Sequence, residues 1–172
     1  MTQTAHYNQG KTKQIALVFS CPGQEEDKLG RPTAGQTGEN LDTFLEQFTG
    51  STSVNRYDYR ITNAYDKVFY QSKDGRTEAT TAEILSDSNL QRLFNEVADI
   101  DKVIIAFGKK AKMALDAVAK QFPLKAKVIE TKHLGLQSLN RMEVDNPKQL
   151  AGAELKKHKI KLLADKAKQE VR

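Results

Sequence analysis

Cysteine is almost absent: Cys21 is the only one in 172 residues. A lone thiol excludes an intrachain disulfide, a Cys-x-x-Cys zinc site and an iron–sulfur cluster ligated by the cysteines of one chain. Histidine is nearly as scarce. His6, His133 and His158 stand far apart, none at metal-ligand spacing to another, so no metal and no other cofactor is expected. Long apolar runs are lacking too. Ile15–Phe19 falls far short of the about 20 residues that a membrane span requires, and no membrane association is expected. The polar start, Met1–Gly10, has no hydrophobic secretory region. Together these absences predict a cytoplasmic protein. Excess charge is small: 27 Lys and Arg stand against 22 Asp and Glu. Lys148–Arg172 carries eight of those cations and three of the acids, which equals the whole excess. The rest of the chain is formally neutral. An acidic polymer is the first partner such a surplus suggests, but +5 alone does not establish one.

What is present reads as one folded domain. The length can bury a real core, and a charged fraction of 28% is close to the globular norm of about 25%. Residues 1–13 are polar and read as a flexible N-terminal tail. Residues 14–172 form a single domain ending in a basic helix. Gln14–Ser20 is a short apolar run stopped by Pro22-Gly23, the pattern of a buried parallel strand. After a polar, glycine-rich loop, Thr37 caps a helix with Leu41, Phe44, Leu45 and Phe48 on one face. Asp58–Tyr65 predicts a second strand with Asn63 near its end. Ser88 caps a helix carrying Leu90, Leu93, Phe94 and Val97. Val103–Phe107 is the clearest strand, and Gly108 turns it into a helix running toward Pro123. Lys127–Glu130 is a fourth strand, leading into His133 and a loop to Arg141. Asn146, Pro147 and Gln149 read as an N-cap, a first-turn proline and a capping-box partner. The closing helix then sets Ile160, Leu163, Ala167 and Val171 on one face.

Strands alternating with helices predict a three-layer α/β/α sandwich around a central four-stranded parallel sheet. Ligands of such sheets bind beyond the carboxyl ends of the strands. The loop from Ser20, the region of Asn63, the turn at Gly108 and the loop from His133 should therefore converge.

The first of these, Ser20–Leu41, reads SCPGQEEDKLGRPTAGQTGENL. With Pro22, Gly23, Glu26, Asp27, Gly30, Arg31, Pro32, Gly35 and Gly38 in register, it resembles the first motif of the uracil-DNA glycosylase superfamily, most of all the family 4 branch. Further similarity follows in order: Arg60–Asn63 (RITN) resembles the strand whose asparagine contacts the target base. Val103–Gly108 (VIIAFG) with Ala111 resembles the strand–turn–helix that meets DNA phosphate. His133 with the leucine-rich sequence to Arg141 resembles the late histidine loop that enters the duplex. The resemblance covers about residues 14–142.

It implies a monomeric DNA glycosylase, without metal or cofactor, that flips a base from the stack and hydrolyses its bond to deoxyribose. Glu26 or Asp27 would be the catalytic carboxylate, and His133 would donate to the departing base. Ser20, Cys21, Pro22, Gly23, Gln24, Thr33 and Asn63 would form the base pocket. Arg31, Gly35, Gly108, Lys109, Leu136 and Arg141 would meet DNA, with Leu134, Leu136 or Leu139 filling the vacated stack. The chain departs from the family at several positions. Phe19 and Ser20 replace the motif's opening glycine and glutamate, and Thr33 replaces the aromatic that stacks on the base. The cluster cysteines are missing, and the usual His-Pro is His133-Leu134. Loss of an aromatic removes about 1–3 kcal/mol of base stacking, and it also makes room for a bulky group at the pyrimidine 5-position. A modified base of viral DNA would fit such a pocket, so defence stands beside repair as a role. A catalytically silent DNA- or protein-binding member, and a hydrolase of free nucleotides, are the alternatives.

Overall fold

Four short β-branched and apolar segments pair side by side in a computed structural model describing residues 1–172. They are β1 (Ile15–Phe19), β2 (Arg60–Asn63), β3 (Val103–Phe107) and β4 (Lys127–Thr131), ordered β2-β1-β3-β4. All neighbours are parallel, with Leu17 opposite both Ile61 and Ile105. Parallel pairing forces each connection to cross a face of the sheet. The crossing elements are helices: α1 (Gln24–Leu29), α2 (Gln36–Thr49), α3 (Gln71–Asp74), α4 (Thr81–Ile84), α5 (Asp87–Val97) and α6 (Lys109–Gln121); α7 (Leu136–Arg141) and α8 (Gly152–Val171) follow the last strand.

The two-residue period of β1 divides the core. Ala16 and Val18 face one layer with Leu90 and Leu93 of α5 and Leu115 and Val118 of α6. Leu17 and Phe19 face the other, with Leu41 and Phe44 of α2 and Ile160 and Leu163 of α8. The three-layer α/β/α sandwich with a four-stranded parallel sheet is thus the architecture of the chain.

Several local expectations change. Thr37 lies inside α2, which starts at Gln36 after Gly35. Gly38 explains the close start: a Cβ there would stand 1.9 Å from the Thr33 carbonyl oxygen. α5 starts after Ser86 rather than Ser88. Asn146 closes a turn instead of capping α8, its side chain exchanging two 2.9 Å hydrogen bonds with the backbone of Leu150. Gln149 adopts φ 54°, which ends any helix there, and α8 starts only at Gly152. Val171 is exposed, whereas Ile160, Leu163 and Ala167 are buried.

Residues 1–13 are docked along the outer edge of β2. Asn8 exchanges backbone hydrogen bonds with Ile61 at 2.8 and 3.0 Å. Its buried side chain donates to the carbonyls of Tyr57 and Tyr59 at 2.9 and 2.8 Å. The polar composition that suggested a flexible tail is used in hydrogen bonds to the sheet edge.

Candidate active site at the strand ends

The chain leaving β1 is joined to the chain leaving β2. Ser20 and Pro22 carbonyls accept from the Tyr65 and Phe69 amides at 2.9 and 3.1 Å. Gly23 then starts α1, and Glu26 reaches back from its first turn. Its Oε1 accepts from the Gly23 amide at 3.1 Å and its Oε2 from the Ala34 amide at 3.3 Å. One carboxylate thus ties both ends of the glycine-rich segment. Thr33 lies within that segment, buried, with φ 48° and its hydroxyl donating to the Pro32 carbonyl at 2.8 Å.

These segments wall a cavity of about 250 Å³. Phe19, Ser20, Cys21, Gly23 and Glu26 form one side, and Thr33 and Thr37 a second. Asn63, Thr77, Glu78 and His133 complete it. This volume lies just under the roughly 300–1,000 Å³ of ordinary small-ligand pockets, a size suited to one heterocycle. The Thr33–Thr37 side has no aromatic ring. Phe19 lines the site with its ring stacked on Phe107 at 4.6 Å.

His133 is held from three directions. Its Nδ1 accepts from the Gly135 amide at 2.8 Å, and its ring meets Phe19 edge-on at 6.2 Å. The carbonyl of the next residue, Leu134, accepts from the buried Asn40 side chain of α2 at 2.7 Å. Two glycines adjoin the residue. Of these only Gly135 is needed for space, since a Cβ there would stand 2.8 Å from Nδ1; one on Gly108 would make ordinary 3.4 Å contact with the His133 Cβ, and it is the φ of 96° that calls for glycine at that turn. Burial pushes the imidazole below its ordinary value, with the Glu78 charge opposing. A neutral ring whose Nδ1 accepts carries its proton on Nε2. His133 is therefore a fixed Nε2–H donor.

Asn63, 3% exposed, ends β2 with its Nδ2 donating to the His6 carbonyl at 2.9 Å. Glu78 and Thr77 belong to the connection between α3 and α4. The Arg76 guanidinium grips Glu83 at 2.5 and 3.0 Å and holds its carboxyl down at about 2. That ion pair pins the connection. Glu78 pairs with Lys110 of α6 at 2.9 Å. The Cys21 thiol donates to the Thr77 carbonyl at 3.4 Å, and burial pushes its pKa up, which keeps it a thiol. Nothing in the spacing of Thr77 and Glu78 marked them in advance, because an irregular connection carries no period. Phe19 stands out in the sequence only as the replacement of the motif's opening glycine, and Asn40 carries no signal of its own.

An open groove of about 1,050 Å³ adjoins the cavity, sharing His133 and Glu78 with it. Lys109, Lys112, Lys127, Lys132, Arg141 and Lys166 line it against Glu78, Glu130 and Glu170. Gly108, Lys109 and Arg141 meet there. Leu136, at the start of α7, is 55% exposed, whereas Leu134 and Leu139 are in the core. The basic helix contributes Lys166 to the groove, but its Lys159 is buried and donates to the Leu139 carbonyl at 2.8 Å. That residue caps α7.

Other expected site residues stand apart. Asp27 follows Glu26 by one residue, about 100° around the helix. Its exposed carboxylate faces the Tyr70 hydroxyl at 3.5 Å, outside the cavity. Gln24 is exposed on the same short helix, and Pro22 is buried beneath the loop; neither lines the cavity. Arg31 lies over the Tyr57 ring at 5.2 Å with its Nε buried, and Gly35 starts α2; neither reaches the groove. No helix is long and apolar enough to cross a membrane.

The family model described as the Uracil DNA glycosylase superfamily matches residues 7–165. The chain belongs to that superfamily. A search of curated proteins finds no significant match. Members of the uracil-DNA glycosylase superfamily act on DNA, hydrolysing the bond between base and deoxyribose. The superfamily match extends over the docked segment from Tyr7 onward as well as the sheet and its four strand ends. The iron–sulfur cluster of the family 4 branch does not fit this chain, whose one thiol cannot supply the four cysteines such a cluster takes.

Proposed function

We infer that this protein is an active DNA glycosylase whose strand-end cavity receives one flipped pyrimidine. The observation that carries the reading is His133. Neutral, fixed through Nδ1 and bearing its proton on Nε2, it suits an acceptor that becomes strongly basic only as the bond breaks. The departing base gains negative charge on its carbonyl oxygen while the sugar becomes cation-like. Donation from His133 stabilises the first change. A carboxylate near the sugar stabilises the second and orients the attacking water. Glu26 is the carboxylate of this reading, since it lines the cavity and is held by two amides. Asn63 contacts the base edge from the opposite strand end. Water attacks the anomeric carbon, the base leaves with the bonding electron pair and takes up a proton, and an abasic site remains.

Lys109 and Arg141 would track the DNA backbone along the groove, and of Leu134, Leu136 and Leu139 only Leu136 is exposed to fill the vacated stack. The substrate of this reading is a uracil-like base or, more specifically, a pyrimidine with a bulky 5-substituent. The absence of an aromatic beside Thr33 and Thr37 supports the larger base. A role in repair or in defence against modified viral DNA follows from which base is preferred. The competing reading is a silent DNA-binding member, favoured by the lack of a carboxylate at Ser20 and Cys21.

Chromatography of bases released from oligonucleotides carrying uracil or bulky 5-substituted cytosines separates these readings. Free base and an alkali-labile abasic site are expected, with faster release of the bulky base. Release of none from single or double strands would overturn the enzymatic reading.

A further inference from the structure

Asn63 does not stand alone at the end of β2. A carbonyl oxygen only accepts, so the bond from its Nδ2 to the His6 carbonyl, 2.9 Å long, fixes which end of the amide is nitrogen. Turning the amide over would set Oδ1 against the His6 oxygen, two acceptors with no proton between them. The position of that carbonyl is itself secured. His6 Nε2 lies 3.0 Å from Glu96 Oε1 on α5, and Nδ1 lies 3.1 Å from the Thr4 hydroxyl. Glu96 also accepts from the Thr62 hydroxyl at 3.0 Å and pairs with Arg92 at 3.0 Å. Arg92 in turn donates to the Asn63 backbone carbonyl at 3.0 Å. Two residues beyond His6, Asn8 is bonded to Ile61 through both backbone groups.

We propose that the N-terminal arm, Thr2–Gln9, determines the base specificity of the pocket by holding the Asn63 amide in one orientation. This inference rests on the glycosylase reading, in which Asn63 touches the base. A 4-oxo pyrimidine offers an acceptor at C4 and a donor at N3. A 4-amino pyrimidine offers a donor at C4 and an acceptor at N3. The two edges are reversed copies of one pattern, so an amide that cannot turn over matches one class and opposes the other. A freely turning amide serves both. The arm supplies the discrimination without touching the base, and His6 is a positioning residue.

The test uses the full chain and pairs of oligonucleotides matched in their 5-substituent but differing in the 4-oxo or 4-amino group. The wild type is expected to favour one class by on the order of 10- to 100-fold in kcat/KM, the scale of one buried polar mismatch. In His6→Ala, and in Thr4→Ala combined with it, that ratio is expected to fall toward unity while the melting temperature stays close to wild type. Equal processing of the pair by the wild type would overturn the proposal. So would a variant that slows both substrates by one factor and leaves the ratio unchanged. No release from either substrate would defeat the glycosylase reading. The orientation lock is then read separately from binding of free uracil and free cytosine, followed on the Asn63 side-chain resonances of ¹⁵N-labelled protein. A Kd difference of tenfold or more that His6→Ala abolishes supports the lock; equal Kd values, or no binding of either base, overturn it.

Discussion

Gly135→Ala isolates the orientation of His133 from everything else in the fold. The backbone at Gly135 has φ −72° and ψ 155°, a conformation open to any residue. The new methyl would meet only the imidazole, 2.8 Å from Nδ1 and 3.0 Å from Cε1. Ordinary contact begins near 3.4 Å, so the ring must withdraw by about 0.6 Å. That exceeds the roughly 0.5 Å tolerance of a preorganised site and strains the Gly135 amide bond that fixes the tautomer. Removing one donor from an oxyanion site costs about 10²–10³ in kcat, and His133→Ala should reach that range. Gly135→Ala should lose a large part of it, on the order of 10²-fold for a displacement approaching 1 Å. Single-turnover base release measures this, with DNA affinity and melting temperature as controls. A variant that releases base at the wild-type rate would refute the role given to His133. So would a loss of rate fully accounted for by unfolding.

Other outcomes follow from the same geometry. Because burial depresses the His133 pKa, the neutral ring should dominate from neutral pH upward. Base release should therefore be flat there and fall only on the acid side of the ordinary imidazole value of about 6.5. Stability follows the same sign. The unfolded chain takes up the proton first, so the His133 contribution is complete above about pH 6.5 and is lost as pH falls toward the folded value. Rate and denaturant midpoints across a pH series check both, and an acid limb centred above 6.5 would contradict them. Gly38→Ala places a Cβ 1.9 Å from the Thr33 oxygen and should destabilise by about 1–3 kcal/mol, read from the urea midpoint. Lys109→Ala should weaken binding to all sequences alike and lower the salt-dependence slope by about one, read by titrating DNA at several salt concentrations.

The sheet was legible because β1 and β3 are buried on both faces and read as unbroken apolar runs, which turns bracket. The convergence of Ser20, Asn63, Gly108 and His133 followed from parallel topology alone. Hydrogen bonds between segments distant in sequence were not legible. The Asn8 pairing with Ile61 turns an apparent tail into part of the sheet edge. Asn146 had every mark of a helix cap, yet its own side chain closes a turn on Leu150. Within the site, Glu26 and Asp27 were equivalent as letters, and only the helical turn of α1 separates them. Glu78 arrives on an irregular connection pinned by Arg76 and Glu83, a placement no local pattern encodes.

The most direct measurement is single-turnover release of free base from one uracil-containing and one bulky 5-substituted cytosine oligonucleotide, with wild type and His133→Ala side by side. The wild type should release one base per strand and leave an abasic site, with His133→Ala slower by about 10²–10³ while still binding DNA. No release by the wild type, or equal rates for the two proteins, would contradict the account.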